Sequence, residues 1–68
     1  MTRAQIIKAA EQNTAIDFLA FLYKNKVQCE ILDQDNLMDE NDGYFNLIVA
    51  GMGDGESILF CDGEFQGL

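Results

Sequence analysis

The candidate nucleophiles and acid–base groups of this chain are carboxylates, two thiols and one serine hydroxyl, because its 68 residues include 12 Asp and Glu, two Cys, the single serine Ser57 and no His. Asp54 and Glu56 flank Gly55 in the stretch GMGDGESILF, residues 51–60. Paired carboxylates serve as general acid and base only inside a cleft, and a chain this short offers none around them. Cys29, Cys61 and Ser57 have no histidine to activate them and no other evident partner in sequence. Two cysteines without histidine do not complete a structural zinc site. The expectation is a protein with no catalytic residues, no metal and no cofactor.

The glycine run raises phosphate binding. Gly51 and Gly53 follow an apolar strand as in the dinucleotide fingerprint, but the third glycine position is occupied by Glu56, and the residues after it read as a strand. No helix N-terminus is then available for a pyrophosphate, and Asp54 and Glu56 repel one. The acidic loop 33–43 raises calcium. Counted from Asp33, the EF-hand ligand positions 5 and 6 fall on Leu37 and Met38; counted from Asp39, positions 5 and 12 fall on Gly43 and Ala50. Neither frame is complete.

Charge is more informative. Residues 1–29 hold all four bases (Arg3, Lys8, Lys24, Lys26) with Glu11 and Asp17, a net of +2, while residues 30–68 hold ten acids and no base, a net of −10. Such a field repels nucleic acid and anionic membrane and speeds encounter with a basic surface. Direct nucleic-acid binding, which depends on clustered Lys and Arg, is not expected. Acidity that only confers solubility is the plain alternative.

The elements that must position these residues are set by pattern. Thr2 with Gln5 and Thr14 with Asp17 have capping-box spacing, so two helices are expected at about 3–12 and 15–25. In the second, Ala15, Phe18, Leu19 and Leu22 make one apolar stripe. Strands are expected in KVQCEILD, YFNLIVA and ESILFC, with DGEFQGL a tail or short edge element, punctuated by Asp-Gly pairs at 42–43, 54–55 and 62–63. The fold class is α+β: one or two N-terminal helices packed on one face of a three-stranded or slightly larger antiparallel sheet, with residues 1–68 a single domain. A chain of this size buries only about 60% of its unfolded surface, so its core is small. No signal peptide or membrane span is legible, and a reducing cytoplasm, of a host cell if the chain is phage-encoded, is expected.

If Asp54-Gly55 is a two-residue type I′ hairpin, Val49 faces Phe60 and Gly51 faces Ile58. Phe45, Leu47, Val49, Ile58 and Phe60 then meet the helices. Ile48, Ala50, Met52, Leu59, Cys61 and Leu32 form the opposite face, with nothing obvious to cover it. An uncovered apolar face marks a contact surface, for a partner or for a second copy as a homodimer. Cys29 and Cys61 fall on opposite faces and are expected to be free thiols.

Alternate residues of a strand are roughly 6.8 Å apart on one face, close to the spacing of successive phosphates along DNA, so carboxylates on strands and turns imitate a backbone. At Glu56, Ser57, Ile58 and Leu59 the letters ESIL resemble the edge strand of the phage-encoded uracil-DNA glycosylase inhibitors, small acidic DNA mimics. The resemblance implies that Glu56, Ser57 and Ile58 approach the DNA-binding cleft of a glycosylase, while an apolar pocket grips a side chain of the enzyme. The expected partner is therefore a basic DNA-binding enzyme, uracil-DNA glycosylase being the most specific candidate. Its contact residues are expected to be Asp54, Glu56, Ser57, Ile58 and Leu59, with Ile48 and Met52 supplying apolar grip. Small acidic anti-CRISPR and anti-restriction inhibitors fit the same description, and a non-mimic homodimeric interaction module is the competing class.

Overall fold

The computed structural model describes residues 1–34 and 43–67. Helix α1 runs Arg3–Gln12 and helix α2 Ala15–Lys24; strands are β1 Cys29–Gln34, β2 Tyr44–Val49, β3 Ile58–Cys61 and β4 Glu64–Gly67. The helices pack on one face of a four-stranded antiparallel sheet with strand order β1-β2-β3-β4. DGEFQGL therefore supplies a fourth strand. Most of the loop 33–43, and with it the calcium reading, lies outside the described residues. Among those described, no helix is long and apolar enough to cross a membrane.

Helix bounds are fixed by the caps. Gln5 N–H donates to Thr2 Oγ1 (3.2 Å) and Thr2 N–H donates to Gln5 Oε1 (2.9 Å), completing a capping box that satisfies two otherwise orphaned donors. Asn13 stops α1 by turning extended and donating Nδ2–H to Ala9 O (2.7 Å). Thr14 restarts the chain one residue later, accepting from Asp17 N–H (3.4 Å). The N-terminus of α2 is further held by Ala15 N–H donating to Gly63 O (3.0 Å), which ties the helix to the turn before β4.

Ile6, Ala9 and Ala10 of α1 and Ala15, Phe18 and Leu22 of α2 meet Phe45, Leu47, Val49, Ile58 and Phe60 of the sheet in one buried cluster. Leu19, expected on the α2 stripe, is only partly buried against it. Phe60 is the hub. Its ring stacks on Phe45 (5.2 Å between centroids, 7° between planes) and meets Phe18 at 5.4 Å and Phe65 edge-on at 6.0 Å. Pairs of this geometry add about 0.5–1.5 kcal/mol each beyond the area they bury.

The expected β2–β3 register is not adopted. Phe45 pairs with Phe60 and Leu47 with Ile58, so β3 is displaced four residues from the Val49–Phe60 pairing. Four is even. The same side chains therefore face the helices in both registers, because facing alternates with every residue. The reason lies in the turn. Glu56 N–H does bond to Gly53 O (3.1 Å), but of the two central residues only Gly55 is left-handed (φ +78). That matches type II, which splays the strands it joins, and not type I′. The type I′ requirement is met at the other Asp-Gly pair, where Asp62 (φ 51) and Gly63 (φ 83) close a two-residue hairpin between Cys61 and Glu64.

Candidate interaction site

Residues 50–57 form a connection that folds over the start of α1. Met52 N–H bonds to Val49 O (3.2 Å) as the chain leaves β2. Gly51, at φ +101, lies so close to the helix that a Cβ there would sit 3.1 Å from Met1 O and 3.3 Å from Ile6 Cδ1. Gly53 is needed for a different contact. Its N–H donates to Glu56 Oε1 (2.8 Å), and a Cβ would meet that same oxygen at 2.8 Å. These glycines are bare because backbone and carboxylate approach them.

Arg3, in the first turn of α1, completes the clasp. Its Nε donates to Glu56 Oε1 (2.7 Å) and its Nη2 to Glu56 Oε2 (2.6 Å), a two-point fork on one carboxylate. The Arg3 bonds, with the Gly53 N–H after them in weight, hold the Glu56 carboxyl down at about 2, well below the usual glutamate range, and the same pairing raises Arg3. Glu56 is thus a charge already partnered within the fold. It fastens the connection to the helix and is not presented as an isolated anion.

The residues expected to make one contact surface are dispersed. Asp54 is exposed at the tip of the turn, and Ser57 is half-buried. Ile58 is 0% exposed and faces the helices, so its expected contact with a partner is corrected: it is a core residue. Met52 also packs against the core cluster and does not join the opposite face. Glu56 and Ser57 precede β3 and do not belong to a strand. Nor is β3 an edge strand as the ESIL resemblance implies, since β2 and β4 flank it. Ile48 and Leu59 do lie together on the sheet face away from the helices.

That outer face has its own organisation. Glu30 pairs with Ile48, Asn46 with both Asp33 and Leu59, Tyr44 with Cys61, and Cys61 with Glu64, and directly opposed residues share a face. Ile48 (38% exposed) and Tyr44 (39%) flank Asn46 along β2 on this face, with the half-buried Leu59 opposite Asn46. Acids edge it on both sides, Glu30 and Asp33 on β1 and Glu64 on β4. Three inter-strand steps of about 4.8 Å set these edges roughly 14 Å apart. A bulge makes this possible. Pairing shifts between Ile31 and Asp33, which leaves Leu32 as the extra residue and brings Asp33 onto the face of Glu30. Tyr44 OH then donates to Asp33 Oδ2 (3.0 Å), orienting the carboxylate.

Ile48 and Leu59 are legible on the outer face from alternation in the sequence, whereas Glu30, Asp33, Glu64 and Tyr44 join it only in the folded chain. For Glu30 and Glu64 the available signal is alternation on the outer strands; for Asp33 there is none, because nothing local marks the bulge. Cys29 opposes Val49 and Cys61 opposes Tyr44, on opposite faces, and both are free thiols as expected; partial burial pushes the Cys29 thiol up. No protein-family model matches the sequence, and no curated protein or solved structure shows significant similarity to it.

Proposed function

We propose that the protein is a non-catalytic inhibitor that occupies the basic DNA cleft of a DNA-binding enzyme, with uracil-DNA glycosylase the first target to test. The observation that carries this reading is the outer sheet face, where the partly exposed Tyr44, Ile48 and Leu59 lie between two acidic edges among the described residues. Their separation of roughly 14 Å is comparable to the ~12 Å width of a DNA major groove. Glu30, Asp33 and Glu64 take the place of phosphates, while Ile48, Tyr44 and Leu59 supply desolvated contact. Glu56 contributes indirectly, by fastening the connection after β2.

The homodimeric alternative would bury the same face against its own copy. Two acidic rims would then meet, each from a chain of net charge −8, and like charges placed opposite one another oppose association. A basic cleft is the complementary surface.

The experiment is titration of the protein into a glycosylase assay and into assays of other DNA-processing enzymes at several salt concentrations. Inhibition should be stoichiometric and should weaken with salt, because exposed charges steer the encounter. The triple variant Glu30→Gln, Asp33→Asn, Glu64→Gln should lose inhibition with its circular dichroism unchanged. Full glycosylase activity at a molar excess of inhibitor removes that target. A triple variant as potent as the parent, or a dimer in sedimentation, removes the mimicry reading.

A further inference from the structure

A second surface carries the opposite charge. Helix α2 ends in a Schellman motif, with Lys26 N–H donating to Tyr23 O (3.0 Å) and Val27 N–H to Leu22 O (2.9 Å). Lys26 occupies the left-handed position of that motif at φ 57. Glycine or asparagine is usual there, because a side chain at positive φ crowds the backbone. A lysine in this place gives up stability that glycine would retain, and a residue held against its backbone preference points to a use for its side chain. Helix polarity accounts for Lys24, a cation in the last turn of α2. It does not require a second lysine in a strained position.

The surroundings supply the second observation. Tyr23 is 87% exposed, more than any other large hydrophobic side chain among the described residues. With Lys24, Lys26, Val27 and Gln28 it lines an open cleft, and none of these residues, the described lining of the cleft, is an acid. Arg3 is tied to Glu56, so this cleft gathers two of the three lysines in the chain.

We infer that the cleft at the end of α2 is a binding site for a short acidic peptide segment of a protein partner, whose carboxylates meet Lys24 and Lys26 while an apolar side chain lies against Tyr23 and Val27. Charge complementarity selects the occupant. A nucleic acid is disfavoured, because its phosphates run on past two lysines into the field of a chain of net charge −8. A few acidic residues with an apolar neighbour match the two cations and the exposed ring. This site is separate from the acidic outer face and does not depend on its role.

The test is an NMR titration of isotope-labelled full chain with a short synthetic peptide alternating Glu and Leu. Saturable amide shifts confined to residues 23–28 are expected. Lys26→Gly should weaken binding several-fold, and Lys24→Gln with Lys26→Gly by about tenfold or more, in keeping with the loss of two charge-assisted contacts. Lys26→Gly should melt at or above the parent temperature, since glycine relieves the left-handed backbone, so its loss of binding is separated from unfolding. The inference is overturned by absence of saturable shifts in the parent, by shifts centred elsewhere, or by Lys26→Gly binding as the parent does. It is also overturned if a short oligothymidylate displaces the peptide at lower concentration, which would make this a phosphate site.

Discussion

The β2–β3 register can be tested by asking whether Phe45 and Phe60 are energetically coupled. Their rings stack at 5.2 Å only because these two residues are directly paired. In the register expected from the Asp54-Gly55 turn, Phe60 would face Val49, four residues or about 14 Å further along β2 at ~3.4 Å per residue. A double-mutant cycle with Phe45→Leu and Phe60→Leu should return a coupling of about 0.5–1.5 kcal/mol, the worth of one aromatic pair. The control cycle, Val49→Ala with Phe60→Leu, should return a clearly smaller coupling, because the two residues are about 14 Å apart along the strand and touch only through the cluster they share. Leucine is preferred to alanine for the rings. At roughly 0.05–0.15 kcal/mol per residue, 68 residues have a total stability of about 3–10 kcal/mol, and a Phe→Ala loss of ~3–5 kcal/mol would leave too little to measure. Urea unfolding monitored by far-ultraviolet circular dichroism gives each stability, with a constant slope against denaturant showing that the denatured state is shared. Coupling between Val49 and Phe60, with none between Phe45 and Phe60, would refute the observed register and the outer-face pairings built on it.

Three further outcomes test the clasp and the division between core and surface. Glu56 titrates at about 2 when folded against about 4.3 when unfolded, so its contribution is present above the unfolded value and is lost as pH falls from about 5 through 2; melting temperature should fall less steeply with acid in Glu56→Gln, and an unchanged slope would contradict the Arg3 fork. Gly51→Ala and Gly55→Ala both force a side chain into positive φ, at roughly 1–2 kcal/mol, but only Gly51 also crowds Met1 O and Ile6, so its urea midpoint should drop further, and equal drops would remove the close approach to α1. Ile58→Ala should lose about 2–5 kcal/mol as a core residue, whereas Ile48→Ala should change stability by less than about 1 kcal/mol, as a surface position does, while weakening inhibition; the reverse order would overturn the assignment of the two faces.

Much of the architecture is legible in the sequence because its signals are local. Thr2-x-x-Gln5 and Thr14-x-x-Asp17 place both helix starts, and the i, i+3, i+4, i+7 stripe of α2 marks the side that meets the sheet. Alternation in YFNLIVA and ILF identifies Phe45, Leu47, Val49, Ile58 and Phe60 as core, and that assignment holds despite the wrong register because the displacement is even. The candidate site is less legible. Glu56 reads as a free anion, since nothing near it in sequence announces Arg3, 53 residues earlier. Asp33 escapes notice because alternation assigns it to the wrong face until the bulge at Leu32 is known.

By itself, then, the sequence determined the order and extent of the helices, the identity of the core and the segregation of charge, all properties carried by neighbouring residues or by composition. Only the tertiary structure decided that Glu56 is tied to Arg3 and that Glu30, Asp33 and Glu64 share the outer face. That outcome depends on strand register, on a bulge and on an arginine brought back across the chain, and each of these is settled by which distant surfaces pack best. The glycine-rich stretch shows the difference most clearly: its turn is encoded locally, but its purpose, to let a carboxylate and a helix approach bare backbone, exists only once α1 has docked on the sheet.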